Sequence, residues 1–465
     1  MTLVGYIGEV AMVRRQRCKS RRSEAAALSP RRSAGEPCKQ GQSANAVVEN
    51  PRKGIEVVVT RAPGMTLLRE WDGLVDRTPG TDVTQLSAWT RLRRHAGFSA
   101  LYVLARQDGV LVGGAQIMTR RLPVIGSIGY LAYGPIIAPG VEHHEEILRP
   151  LADALTELGR RQLRILYVQP PEGADDVSNE LLRSGFRESS VGIAPAGSVR
   201  IDLTDDLAVI KGRFSRTLRS WPNRWPARGV TVRPGDERDV PLLVELLGRS
   251  AGEQGHTPLP YHYVEALYRE LASTGHASLF VGEVNGVPAA ADLVTGCGDM
   301  LRGRLAGFDR SGEASKLGVP AAVRWEIIQW GKARGYRWYD FGGLRAATLD
   351  TLLVGGDPPL GGWPSVDLPK LKFGGAAFRY PNAVELISPA PLRMAYDLAW
   401  RSAAGRLLIE RARVILRGNR PERHRVERPA PLRADPLGDT AANSQPRGER
   451  SAVRTILRAG AATGD

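Results

Sequence analysis

The stretch from Val319 to Gly343, VPAAVRWEIIQWGKARGYRWYDFGG, decides the fold of this chain. Its first half places apolar residues at helical spacing behind Pro320, and Gly335 supplies the C-cap, so we predict a helix between them. The aromatic run from Tyr336 to Phe341 predicts a buried strand, and the two glycines after it predict a sharp turn or a close approach to a ligand. A helix, a strand and a glycine turn in this order indicate an α/β domain.

A lysine between apolar neighbours follows this turn, in the segment Leu371-Lys372-Phe373-Gly374. Spacing alone leaves two interpretations open: Asp340 caps a turn and Lys372 is a solvated loop residue, or both belong to a site. The order of helix, GYxxYDFGG, loop and (F/L)KxG resembles the C-terminal half of the Fem family. These FemA, FemB and FemX type transferases use aminoacyl-tRNA to build peptidoglycan cross-bridges. The resemblance implies that Lys372 is catalytic and that Asp340 and Phe373 bind substrate.

The pattern of predicted elements occurs twice between about Ile55 and Ala404, the region that the resemblance covers. Each copy has strands and short helices, an antiparallel hairpin, a helix and a buried strand, with hairpin turns at Asp108-Gly109 and Asn285-Gly286. This order is similar to that of GNAT acyltransferases. We therefore expect an α/β (α+β) chain with two tandem GNAT-like domains, residues 55–204 and 205–405.

The net charge of +15 lies mostly outside the two predicted domains. Residues 1–54 carry 11 Lys and Arg against 4 acids, residues 406–465 carry 13 against 7, and residues 55–405 carry 40 against 38. Because 1–54 and the chain after Arg417 lack a sustained apolar period, we predict disordered basic tails at both ends, the second after a helix end. The nearly neutral centre argues against a protein that coats duplex DNA, although a local basic groove for tRNA is compatible with it.

Several classes of site are not indicated. Cys18, Cys38 and Cys297 have neither a disulfide framework nor zinc spacing, so we predict no metal. The R/Q-x-x-G-x-G/A turn of acetyl-CoA enzymes is missing from both domains, and no cofactor is predicted. No stretch approaches about 18 uninterrupted apolar residues, and between Ala251 and Ala277 no heptads indicate the long helical arm of some Fem members. We expect a cytoplasmic enzyme that makes any envelope product at the inner membrane surface.

Four more residues match Fem motifs one by one. Gln85-Leu86-Ser87-Ala88-Trp89 resembles the Q-S-x-x-W helix, which implies that Arg93, one turn later, contacts the acceptor's nucleotide or phosphate. Tyr133, before Gly-Pro, and Tyr263, in a Y-(Y/F)-x-x-L helix, are implied substrate contacts, although a half-buried helix face explains Tyr263 equally well. Arg219 matches the first arginine of R-x-N-(I/V)-R and is an implied acceptor contact.

The residues that follow Arg219 depart from the family pattern. Ser220 to Pro226 contains two prolines in a segment that is usually helical in the family, which predicts a rebuilt acceptor pocket.

The resemblance implies an aminoacyltransferase that moves an amino acid from aminoacyl-tRNA to an amine of a peptide acceptor, a peptidoglycan precursor of the lipid II type. The altered segment favours a second acceptor class, an antibiotic peptide in natural-product biosynthesis. Two further alternatives remain, an acyl-CoA N-acyltransferase and a non-catalytic binding module built from paired GNAT folds.

Overall fold

A computed structural model describes residues 46–50, 54–123, 125–189, 193–253, 258–310, 313–359, 361–407 and 409. Most residues of the two predicted disordered tails lie outside the described residues. Ala46–Asn50, which the prediction placed in the N-terminal tail, instead form a strand paired with Ile55–Thr60, so that part of the prediction was wrong. The two sheets described below belong to one compact unit. No helix in the described ranges is long and apolar enough to cross a membrane.

The first part of the chain alternates short helices with a long antiparallel meander. Its strands are β1 (Ala46–Asn50), β2 (Ile55–Thr60), β3 (Ser99–Gln107), β4 (Val110–Leu122), β5 (Gly126–Ala132), β6 (Ile136–Ile137), β7 (Ile165–Gln169) and β8 (Arg187–Glu188). Its helices are α1 (Met65–Arg77), α2 (Ser87–Arg94), α3 (His144–Arg161) and α4 (Asp175–Arg183), with a 3-10 turn at Val83–Gln85.

The second part repeats this order with different lengths. Its strands are β9 (Gly197–Asp202), β10 (Val230–Gly235), β11 (Ala277–Val284), β12 (Val287–Cys297), β13 (Met300–Phe308), β14 (Trp338–Asp340), β15 (Ala376–Arg379) and β16 (Val384–Ile387). Its helices are α5 (Leu207–Gly212), α6 (Arg216–Arg219), α7 (Val240–Glu253), α8 (Tyr261–Ala272), α9 (Glu313–Leu317), α10 (Val319–Ala333), α11 (Ala346–Leu353), α12 (Leu368–Leu371) and α13 (Ala390–Arg401).

Local sequence explains the turns that were predicted. Asp108 and Gly109 join β3 to β4 with φ of 50° and 79°, and Asn285 and Gly286 join β11 to β12 with the same values. Two successive positive φ angles match a two-residue turn that follows the twist of the strands. Gly342 and Gly343, with φ of 75° and 41°, end β14 in the predicted glycine turn.

Relative to the domain boundary predicted between residues 204 and 205, each sheet contains one strand from the other side of that boundary. In the described residues the first sheet runs β1-β2-β3-β4-β5-β7-β16-β8 with β6 beside β4, and the second runs β10-β11-β12-β13-β14-β9-β15. Thus β9 lies between β14 and β15, with Ile201 opposite Tyr339, and β16 lies between β7 and β8, with Val384 opposite Val168. The predicted boundary between residues 204 and 205 therefore does not coincide with the division of the sheets. These pairings join residues 138 positions apart (Ile201 and Tyr339) and 216 positions apart (Val168 and Val384). Pairing over such distances has no local sequence signal, which is why the sequence pattern did not predict it.

One hydrophobic core is shared by the two halves. Apolar side chains of α1 and α2, including Trp71 and Leu92, belong to the same buried cluster as Leu243 of α7 and Leu267 of α8. Separate clusters pack α3 against the first sheet and α10 against the second. Helices α1, α2, α7 and α8 thus form a common layer, and the chain between Ala251 and Ala277 is occupied by the end of α7 and the 12-residue α8.

Candidate active site

The carboxyl ends of two parallel strand pairs meet at one place in the molecule. In the first sheet β5 runs parallel to β7 up to Ala132, and Tyr133 follows directly. In the second sheet β14 pairs with only Met300 to Arg302 of β13 and ends at Asp340. Such strand ends are where open α/β sheets bind ligands. The Arg302 guanidinium lies 4.9 Å from the centre of the Tyr133 ring, so the two ends face each other.

Arg302 is the centre of a buried network that joins the two halves. Its Nε donates to Asp340 Oδ2 at 2.9 Å, its Nη2 donates to Tyr380 Oη at 3.0 Å, and its Nη1 pairs with Asp82. Arg304, two residues along the same strand, donates to Asp82 Oδ2 at 2.8 Å. Asp82 comes from the first half of the chain and both arginines from the second, so these ion pairs couple the halves directly.

The network shifts the titration of its members. Burial alone would raise the pKa of Asp82, but Arg304 and Arg302 lower it to about 2. Burial raises the pKa of Tyr133 to about 12, partly offset by the charge of Arg302. The carboxylate therefore stays ionised and the phenol neutral at neutral pH. Sequence reasoning missed Asp82, Arg302 and Arg304, although two arginines at alternating positions of the apolar strand MLRGRLAGF were a usable signal.

Lys370 projects into the turn that follows Asp340. Its Nζ donates to the carbonyl oxygens of Gly342 and Gly343, and Asp340 Oδ1 accepts a hydrogen bond of 2.7 Å from Gly342 N. Lys370 is 7% exposed, and burial, with the positive charge of Arg324 as the next cause, lowers its pKa from 10.5 to about 8. The glycine turn, Asp340 and a poorly solvated ammonium group are therefore one connected arrangement.

The lysine predicted from the sequence is not the buried one. Lys372, at the C-terminal end of α12, is exposed, which is the environment of the solvated residue that spacing alone left open and not that of a buried catalytic cation. Phe373, the predicted substrate contact beside it, is 1% exposed and packs on Phe214 and Phe341 at ring distances of 5.0 and 4.9 Å. This position gives Phe373 a packing role in the core of the second half.

Arg93 and Tyr263 lie close together. They belong to the helix layer shared by the two halves, whereas Lys370 lies at the Gly342-Gly343 turn. They lie on the facing helices α2 and α8, where burial raises the pKa of Tyr263 and the charge of Arg93 partly offsets that rise. The Arg93 guanidinium stacks over Phe98 at 4.7 Å and is 5% exposed. The guanidinium is therefore buried in the layer shared by the two halves, and this structure does not present it on an open surface for an acceptor phosphate.

Arg219 lies in a basic segment beside residues Lys370 to Gly374, which we call the lysine loop. Residues 207–235 contain seven Lys and Arg and no acid. Arg216, Arg219 and Arg224 are exposed, and Ser215 N donates to the carbonyl oxygen of Lys372 at 2.8 Å. We call residues Lys211 to Arg228 the basic segment.

The segment from Ser220 to Pro226 is compact although it is not a continued helix. Helix α6 ends at Arg219, and Trp225 Nε1 donates to the carbonyl oxygen of Leu317 at 2.9 Å. Trp221 fills the space beside Gly318, where a side chain would clash with its ring. The two tryptophans therefore hold this departure from the family pattern against the start of α10.

Comparisons with known proteins agree with this architecture. The profile of an acetyltransferase (GNAT) domain matches residues 212–351. The lipid II:glycine glycyltransferase of Staphylococcus aureus (strain MRSA252) is 25% identical over 227 residues, 46% of this chain and 53% of that protein. The chain therefore spans about half the length of the curated relatives that it matches. The crystal structure of FemX superimposes with a TM-score of 0.63 and 17% identity, covering 72% of this chain and 99% of that chain.

Proposed function

We propose, from the confirmed resemblance of this chain to the Fem family, that it is an aminoacyltransferase acting on a peptidoglycan precursor of the lipid II type. In this proposal the donor is an aminoacyl-tRNA and the acceptor is an amine of the precursor's peptide. The observation that carries it is the buried Lys370 at the Gly342-Gly343 turn, where the parallel strands β13 and β14 part. The relative whose name specifies lipid II and glycine supports the acceptor class.

The reaction is aminolysis of an ester. The neutral amine nitrogen attacks the ester carbon, the C–N bond forms, the ester C–O bond breaks, and the amine proton passes to the departing ribose oxygen. Negative charge develops on the carbonyl oxygen in between, and a fixed cation in a poorly solvated site stabilises it strongly. We assign that role to the Lys370 ammonium in place of Lys372, because only Lys370 is buried among oriented backbone groups.

The basic segment supports a nucleic-acid donor. Arg216, Arg219 and Arg224 are exposed cations within one short stretch, and clustered cations of this kind bind the phosphates of nucleic acids. Its backbone is hydrogen bonded to the lysine loop, so phosphates bound there would place a 3′ ester close to Lys370. We therefore reassign Arg219 from the acceptor, predicted from the sequence, to the donor. In this proposal Tyr133 and Asp340 lie at the back of the site, where the Asp340 carboxylate and the Tyr133 ring hold Arg302.

An acyl-CoA N-acyltransferase is the second candidate, because the matching domain profile is that of an acetyltransferase. The decisive experiment offers the purified chain three donors separately: a pool of charged tRNAs, the same tRNAs uncharged, and acetyl-CoA. Lipid II and its soluble nucleotide-linked precursor serve as acceptors, and mass spectrometry follows the product. We expect one aminoacyl addition to the peptide with charged tRNA alone. Addition of an acetyl group from acetyl-CoA, or no turnover of any donor, would overturn the proposal.

A further inference from the structure

Helix α13 is firmly attached to the first sheet by one face. Leu392 and Tyr396 pack against the apolar cluster of Ile128, Ile165 and Ile387. Asp397 pairs with Arg187 at 2.7 Å, and the same arginine binds Glu385 of β16 at 2.9 Å. The orientation of the helix on the molecule is therefore fixed.

The opposite face of α13 carries large apolar side chains in solvent. Met394 and Leu398 are each 70% exposed, and they lie one helical turn apart. Pro391 extends the same stripe at helical spacing before them. Among the side chains that the structure describes, Met394, Leu398 and Val354 are the most exposed large apolar groups.

Cations border this stripe. Arg393 and Arg401 are exposed, whereas Asp397, the acid of the helix, is already engaged by Arg187. The sequence that follows, residues 406–465, carries 13 Lys and Arg against 7 acids. An apolar stripe with a cationic border is the pattern of a helix that lies in the interface of an anionic membrane.

We propose that the Met394–Leu398 face of α13 docks the enzyme on the anionic surface of a lipid bilayer. The 12-residue helix is about 18 Å long and would lie in the plane of the headgroups. A stripe of two large side chains is small beside the roughly 800 Å² per partner that a stable protein interface buries, whereas insertion among lipids needs no matching surface. The inference goes beyond the proposed function: only its benefit, delivery to a lipid-linked acceptor, rests on that function.

The test measures binding of the full chain to vesicles without any substrate, so it is independent of the enzymatic activity. Co-sedimentation compares phosphatidylglycerol-containing vesicles with pure phosphatidylcholine vesicles, at two salt concentrations. The variant carries Met394→Ser with Leu398→Ser. The matched control carries Met65→Ser with Val287→Ser, which removes apolar side chains that are 68% and 66% exposed elsewhere. Thermal melting confirms that all three proteins are folded.

We expect the wild type to bind the anionic vesicles, and the α13 variant to need roughly tenfold more lipid for half binding, while the control binds as the wild type does. Equal binding by the α13 variant would show that cations elsewhere act alone and would overturn the proposal. So would a wild type that ignores anionic vesicles. A dimer in analytical ultracentrifugation that the α13 variant dissociates would identify the face as a self-association surface instead.

Discussion

Replacement of Lys370 by Met removes the proposed catalytic charge while leaving a side chain of similar length. Removing one group that stabilises a developing oxyanion typically costs about 3 kcal/mol, so we expect kcat to fall by about a hundredfold or more. Lys372→Met is the matched control: it makes the same replacement two residues away on an exposed side chain, and we expect its kcat within about twofold of the wild type. Single-turnover kinetics with saturating charged tRNA measures both.

The stability of the Lys370 variant separates catalysis from folding. The difference between a pKa of 10.5 and one of about 8 corresponds to about 3 kcal/mol at 1.36 kcal/mol per pH unit, the cost of keeping this ammonium charged in the fold. Met avoids that cost but leaves the carbonyl oxygens of Gly342 and Gly343 without their donor, which costs about 1 to 3 kcal/mol. These terms nearly cancel, so urea denaturation at pH 7 should show a change below about 2 kcal/mol.

The sign of the pH dependence follows from the same shift. Between pH 8 and 10.5 the unfolded state binds more protons at Lys370 than the folded state, so this residue makes stability rise with pH in that window. Activity should change with pH in the opposite direction to stability. If the charged ammonium is required, kcat/KM should fall above about pH 8, because Lys370 loses its proton there. In Lys370→Arg the fall in kcat/KM should begin at a much higher pH, because an arginine stays protonated there. In the double variant Asp292→Asn with Arg324→Met, the pH at which kcat/KM falls should rise by a smaller amount, because the Arg324 charge contributes to the lowered pKa of Lys370.

Two results would refute the reasoning. A rate that rises through pH 8 in the wild type and not in Lys370→Arg would make the neutral amine a general base rather than an electrostatic catalyst. A Lys370→Met enzyme with normal kcat, and a Lys372→Met enzyme without activity, would restore the interpretation made from the sequence.

Four further predictions test the network, the lysine loop, the strand exchange and the basic segment. Asp82→Asn should lower the free energy of unfolding by about 3 to 5 kcal/mol, because Arg302 and Arg304 lose a buried partner, while Glu70→Gln at the partly exposed pair with Arg106 should change it by less than about 1 kcal/mol. Urea melts should also show wild-type stability falling between about pH 4 and pH 2, where Asp82 is protonated on unfolding, and a smaller fall in the variant. Gly374→Ala should reduce both stability and activity, because Gly374 has a φ of 67° and a side chain there would overlap the carbonyl oxygen of Arg213, whereas Gly361→Ala, with open space around it, should be neutral by thermal melting and kinetics. Residues 1–204 and 205–465 expressed separately should each lack a cooperative thermal transition, since each sheet would lose an internal strand, and a stable fragment would contradict this. Arg216→Gln with Arg224→Gln should raise the KM for charged tRNA and reduce the salt dependence of binding by about two in slope, while Arg149→Gln with Arg183→Gln on α3 and α4 should not.

The sequence by itself determined the features that depend on neighbouring residues. The turns at Asp108-Gly109 and Asn285-Gly286 need positive φ angles that these residues accept readily, and the structure has them. The helix before Gly335 and the YDFGG strand with its glycine turn likewise follow from spacing within about 25 residues. Because this order of elements recurs, the two GNAT-like units were predictable without any long-range information.

Only the tertiary structure decided which side chains form the site. Lys370 and Lys372 have the same kind of apolar neighbours in sequence, but two residues along a helical turn point about 200° apart, so one faces Gly342 and the other faces solvent. Asp82 and Arg302 are 220 residues apart, and the pairings of β9 with β14 and of β16 with β7 join residues 138 and 216 positions apart. Burial and ion pairing depend on packing between such segments, and the neighbouring residues in the sequence do not determine which distant segment a side chain contacts.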